Sequence, residues 1–159
     1  MTTIFESKNF LVESADNPIV DRDDGGQIII SPKIRIKDRQ QLPPKQAIEL
    51  MWLTILVGQA MAKIMNLHGV DIGRINYQDN GNWSVFKPEG PHLHIHLYGR
   101  AKSAKIHKYG QACFFPDKKE KPEYYENFKP LTNEDIKDIK QEIENLLKQE
   151  KFSDSQWGL

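Results

Sequence analysis

Three of the chain's five histidines fall within His92-Leu93-His94-Ile95-His96-Leu97-Tyr98, alternating with aliphatic residues. Side chains of a β-strand point to alternate faces. His92, His94 and His96 are therefore expected on one side, with Leu93, Ile95 and Leu97 on the other. Pro91 and Gly99 bound the run. Imidazole serves as nucleophile, proton carrier or metal ligand near neutral pH, so the row has three readings. A polar strand face is the plainest, although Thr, Lys or Glu would serve an exposed face as well. A metal site is the second. Same-face neighbours lie roughly 6.5–7 Å apart and the outer pair roughly 13 Å, against a zinc–nitrogen bond of about 2 Å. Two rings could share an ion, and its other ligands would have to come from elsewhere. The third is phosphorus chemistry, in which one imidazole attacks phosphorus while its neighbours hold the phosphate oxygens. Spacing alone does not separate the last two.

This stretch, followed by Gly99-Arg100, resembles the signature of the histidine triad (HIT) superfamily, His-φ-His-φ-His-φ-φ with φ apolar and Tyr98 as the last φ. The resemblance covers roughly residues 9–100. It implies an α+β fold: a HIT-like antiparallel sheet with a long central helix, here with an additional C-terminal helix. It also implies that His94 is the nucleophile, that His92 orients it, and that His96 contacts the scissile phosphate. An acidic residue meeting the ribose would be Asp21, or Asp23 beside it. The family's fourth histidine falls at Gln27, which can donate or accept a hydrogen bond but takes no proton at neutral pH. Asn80 and Asn82 stand where a family turn reaches the phosphates. Pro88-Glu89-Gly90-Pro91 replaces the usual Gln-Ser pair, leaving the backbone N–H groups of Glu89 and Gly90 as substitutes. Arg100 is the cation best placed for a polyphosphate, with Lys102, Lys105 and Lys108 behind it.

The implied activity is a nucleotide-binding hydrolase or transferase. It would attack the α-phosphate of dinucleoside polyphosphates or nucleoside phosphoramidates, form a nucleotidyl-histidine, and release a nucleoside monophosphate such as AMP. No resident metal or cofactor is expected, beyond magnesium arriving with a polyphosphate.

What must position these residues? Residues 9–13, 18–22 and 27–31 read as strands, with Asp23-Asp24-Gly25-Gly26 as a hairpin turn. Pro43-Pro44 opens a helix reaching Leu67 and closed by Gly69. Its polar residues Glu49, Thr54, Gln59, Lys63 and Asn66 read as one narrow stripe, with the remainder apolar. Such a helix must bury more than one face, covering the sheet with one side and meeting a second subunit with the other. A homodimer is expected, as the resemblance also implies. Val70 to Gln78 reads as a strand, then Asp79-Asn80-Gly81-Asn82 as a turn and 83–87 as a further strand. His68 reads as a helix C-terminal residue favoured by the dipole rather than a ligand. Beyond residue 100 an irregular aromatic arm leads to a capping box at Thr132-Asn-Glu-Asp135, which opens an amphipathic helix. The tail holds Trp157. The layout is a HIT-like domain over 1–130 with the C-terminal helix and tail, 131–159, packed on it.

Lys+Arg and Asp+Glu both total 22, so net charge gives no reason to expect nucleic acid or an anionic membrane as partner. Charges at 49 and 63 speak against a membrane span. The single cysteine, Cys113, excludes an intramolecular disulfide and reads as a buried small residue. No signal peptide is visible, and a cytoplasmic protein is expected. Two rivals stay open. A cupin-like metal-binding protein also uses His-x-His, yet lacks its glutamate between Leu97 and Ala101 here. A catalytically silent nucleotide-binding protein is made credible by Gln27 and the lost Gln-Ser pair.

Overall fold

The fold is taken from a computed structural model that describes residues 1–79 and 84–159. Five strands form one antiparallel sheet in the order β1-β2-β3-β5-β4: β1 (Thr2–Glu6), β2 (Phe10–Ser14), β3 (Gln27–Pro32), β4 (Ile72–Asp79) and β5 (Ile95–Ala101). Between β3 and β4 runs α1 (Pro44–Leu67), and the chain ends with α2 (Asn133–Leu146) and the single turn α3 (Asp154–Trp157).

The alternation read from sequence sets the sheet's two faces. Leu93, Ile95 and Leu97 are buried, and with Ile28 and Ile30 they join the core that includes Leu53, Leu56, Ala60 and Met61 of α1. Cross-strand partners share a face, so the pairs Gln27↔Tyr98, Ile29↔His96 and Gln78↔His96 lie on the sheet face turned away from α1. There Tyr98 packs with Ile19, Val20, Phe115 and Tyr125 in a second apolar cluster.

Several expectations are corrected. β1 was not foreseen, because Thr2–Glu6 carries little apolar alternation. Residues 18–22 form no strand: Asp21 caps a 3-10 turn over Arg22–Asp24, and this turn leads into β3. Residues 84–87 form turns, and the expected turn at Asn80 and Asn82 lies outside the described residues. The polar stripe of α1 is split, with Gln59, Lys63 and Asn66 exposed. Glu49 and Thr54 are buried, Glu49 because its carboxylate accepts from Ser7 Oγ (2.6 Å), Asn9 N (2.9 Å) and Asn9 Nδ2 (2.5 Å). Apolar residues are exposed instead, Ile48 at 40% and Met51 at 57%. The helix is long and apolar enough to cross a membrane by composition, but 67% of its apolar window is buried inside this fold.

Both parts of the capping box form: Asp135 N donates to Thr132 Oγ1 (3.1 Å), and Thr132 N donates to the Asp135 carboxylate (2.8 Å). α2 packs on α1 and β1. His68 does more than complement a dipole. Its Nδ1 meets Asp135 at 2.7 Å and its Nε2 meets Asp138 at 3.1 Å. Cys113 is half-buried rather than buried. Trp157 donates Nε1–H to the Lys151 carbonyl, which ties the tail to its own chain.

Candidate active site

Regular pairing of β5 begins only at Ile95, so the first two histidines precede the ladder. They are held extended by other means. Leu93 N donates to the Ile36 carbonyl (2.7 Å), and Arg35 Nη2 donates to the carbonyls of Glu89, Gly90 (2.8 Å) and Pro91 (3.3 Å). Sequence reasoning missed Arg35, because nothing in its local pattern signals a contact with a loop fifty residues away.

The three imidazoles lie in a row, with ring centroids 6.4 Å apart for His92–His94 and 4.7 Å for His94–His96. Tyr98 stacks on His96 at 5.4 Å and is backed in turn by Phe115 at 5.2 Å. His94 is half-buried. Its Nδ1 lies 2.7 Å from the His92 carbonyl. A carbonyl only accepts, so Nδ1 carries the proton and the neutral ring has its lone pair on Nε2. His92 thus orients His94 through its main-chain oxygen. The His92 ring Nδ1 is buried without a partner among the described residues. Burial, then His94 and Arg35, push its pKa down.

His96 is the most enclosed of the three, 7% exposed. Gln27 Nε2 lies 2.8 Å from His96 Nδ1, while Gln27 Oε1 accepts from Ile19 N at 2.7 Å. Burial first, and the neighbouring His94 second, push the His96 pKa down to about 3. Gln78, opposite His96 on β4, was also missed, since strand pairing is not written in local sequence. Its Oε1 is buried with no partner among the described residues.

Other expected contacts have structural work instead. Both carboxylate oxygens of Asp21 accept backbone N–H groups, from Asp23 (2.8 Å) and Lys129 (2.7 Å), which locks the turn before β3. That employment, not a ribose contact, is what its hydrogen bonds describe. Arg100 is 5% exposed, and its Nη2 donates to the carbonyls of His107, Lys108 and Gln111 at 3.3, 2.9 and 2.7 Å. It holds the following loop rather than facing an open phosphate site. Gly90 N–H is committed to the Lys87 carbonyl (2.9 Å), so it is not free for phosphate. Asp23 pairs with Lys129 Nζ at 2.8 Å. Asn80 and Asn82 are outside the described residues.

The aromatic arm docks on the domain: Tyr124 and Phe128 pack around buried His107. Glycines permit the close approach of the turn to β5. A Cβ on Gly99 would lie 2.2 Å from the Gly25 carbonyl oxygen, and Gly25 itself has φ 134°. Away from the triad, His68, Glu134 and Asp138 place ligand atoms within 4.8 Å of one another, the one such grouping among the described residues that could hold a metal. Both ring nitrogens of His68 already meet carboxylates, so the grouping is accounted for as an ion-pair cluster.

Comparison with solved structures decides the fold. A histidine triad protein from Marinobacter aquaeolei superimposes with TM-score 0.59 at 19% identity, covering 91% of this chain and 87% of its own. A zinc-bound histidine triad family protein from Mycobacterium smegmatis gives 0.58 at 19%, covering 91% and 84%. A hypothetical histidine triad nucleotide-binding protein from Sulfolobus tokodaii gives 0.57 at 20%, covering 91% and 85%. The chain has a HIT-like fold. No family model and no curated protein matches it. The HIT-like architecture spans about nine-tenths of the chain, including the region after residue 100 that the signature alone did not reach.

Proposed function

We propose that this HIT-like protein binds a nucleotide and acts as a hydrolase or transferase at its α-phosphorus through His94. One observation carries the reading: the Nδ1–H of His94 is donated to the His92 carbonyl, which leaves the lone pair on Nε2 of a half-buried ring beside His96. In the first step His94 Nε2 bonds to phosphorus and the leaving group departs with the electron pair of the broken bond. In the second, water attacks the nucleotidyl-histidine, the P–N bond electrons return to Nε2, and a nucleoside monophosphate is released. The His96 Nε2–H donates to a phosphoryl oxygen as charge develops there. Dinucleoside polyphosphates and nucleoside phosphoramidates are the substrate classes.

The protein works as a homodimer in this reading. β4 lies at the sheet's edge, and Ile48 and Met51 present exposed apolar surface on the neighbouring helix. Edges of this kind pair with a second strand unless blunted.

Incubation with adenosine polyphosphates and phosphoramidates should release AMP, and acid-quenched mass spectrometry should find the adduct on His94. His94→Ala should remove activity while leaving circular dichroism unchanged. Full activity in that variant refutes the mechanism. A second reading, a nucleotide-binding protein without turnover, is favoured by one feature: the Gly90 N–H is spent on Lys87, so the loop before the triad offers one donor fewer to a transition state. AMP binding without release of AMP from any probe would select it.

A further inference from the structure

We propose that Gln27 is a positioning residue that holds His96 as a neutral Nε2–H donor, so that the site expels leaving groups that depart without a proton. The inference rests on the nucleotidyl-transfer reading above, and it narrows the substrate class to nucleoside 5′-phosphoanhydrides.

The orientation of the Gln27 amide is fixed by a group that cannot turn round. Ile19 N–H is a backbone donor, so the atom 2.7 Å from it must be the amide oxygen. The atom 2.8 Å from His96 Nδ1 is then the amide nitrogen, which only donates. His96 Nδ1 must accept, which puts the ring proton on Nε2. Flipping the amide would set donor against donor at Ile19. His96 meets Gln27 and Ile29 from β3, Gln78 from β4, His94 from the segment just before its strand and Tyr98 from the strand itself. No carboxylate is among them in the described residues, so nothing there favours an imidazolium.

The chemical consequence follows from proton balance. When His94 Nε2 attacks an anhydride, the P–O bond breaks and its electron pair stays on a phosphate oxygen, a stable anion that needs no proton. When it attacks a phosphoramidate, the P–N bond breaks and the departing nitrogen must receive a proton. Neutral His96 could supply one only by becoming an imidazolate. It is therefore a hydrogen-bond donor to the phosphoryl oxygen, not a general acid. A positioned general acid is worth about 10²–10⁴-fold, so the phosphoramidate should be slower by roughly 10²-fold or more.

Three measurements test this. Long-range nitrogen–proton NMR on the uniformly labelled wild-type protein should show His96 protonated on Nε2 alone at neutral pH; a proton on Nδ1 overturns the lock. Wild-type kcat/KM for diadenosine triphosphate should exceed that for an adenosine 5′-phosphoromorpholidate by about 10²-fold or more; values within tenfold overturn the substrate class. Gln27→Glu keeps the shape and the bond to Ile19, but its second oxygen now accepts a hydrogen bond from a protonated His96 Nδ1. That variant should show a titrating His96, close the gap between the probes by about tenfold or more, and gain a basic limb in its phosphoramidate pH profile. An unchanged ratio and profile would contradict the role given to Gln27. Turnover of neither probe refutes nucleotidyl transfer itself and the substrate class with it, while the wild-type NMR spectrum still decides the lock.

Discussion

Asp135→Asn is the substitution whose cost the structure specifies most fully. Asp135 is wholly buried and accepts Arg22 Nε (2.6 Å), Arg22 Nη2 (2.8 Å), His68 Nδ1 (2.7 Å) and Thr132 N (2.8 Å). It ties α2 to the C-terminus of α1 and to the turn that delivers Gln27. These hydrogen bonds hold its carboxyl well below the usual range despite burial. The same contacts raise the pKa values of Arg22 and His68, led in each case by the hydrogen bond to Asp135. Removing one partner of a buried ion pair costs about 3–5 kcal/mol. The lower end applies here, since the Arg22 and His68 side chains keep 18% and 17% exposure and can be partly rehydrated. With a urea slope of about 2 kcal/mol per molar for a chain of this size, the midpoint should fall by about 1.5 M. A pH test accompanies it. The folded-state pKa of His68 lies above its unfolded value near 6.5, so its contribution is complete below that pH and is lost as pH rises through the folded value. Wild-type stability should decline across that basic window, and Asp135→Asn should flatten the decline. Urea melts at matched protein concentration, from pH 6 to 9, measure both. A loss under about 1 kcal/mol, or an undiminished pH dependence in the variant, would refute the assignment of Asp135 as the shared anchor.

His92→Ala keeps the carbonyl that orients His94, so it should lower kcat far less than His94→Ala does; equal losses in steady-state assays would return the orienting role to the ring. Gly99→Ala drives a Cβ into the Gly25 carbonyl and should cost several kcal/mol, about 3 or more, read as a lowered urea midpoint or loss of soluble protein. Met51→Glu with Ile48→Glu should yield a monomer in sedimentation at micromolar concentration with circular dichroism unchanged. Arg100→Met removes the donor to three loop carbonyls and should speed proteolytic cleavage between residues 102 and 112.

Much of the site was legible because the signal is local and periodic. Alternation of imidazole and aliphatic residues placed His96 on one face and Leu93, Ile95 and Leu97 in the core. Thr132 and Asp135 announced a helix start through side chains three residues apart, and Pro44 did so through its fixed φ. The partner of a polar side chain was not legible. Asp21 and Arg100 had the right charges for ribose and phosphate, yet backbone groups claimed both: the N–H groups of Asp23 and distant Lys129 for Asp21, and the carbonyls of the following loop for Arg100. Glu49 stands among the polar residues of an otherwise apolar helix, and only the fold brings the three donors of the β1–β2 turn to it. β1 was invisible because its burial depends on α2, which comes more than a hundred residues later.

What residue order alone determined is the chemistry on offer: three imidazoles in alternation, a glutamine where a fourth might stand, and a helix too apolar for one buried face. What only the tertiary structure decided is which ring nitrogen of His94 and of His96 carries the proton. His92 lends a carbonyl to one ring, while Ile19, through Gln27, fixes the other. Proton placement follows from what each ring nitrogen faces, and those neighbours meet only when the chain is folded.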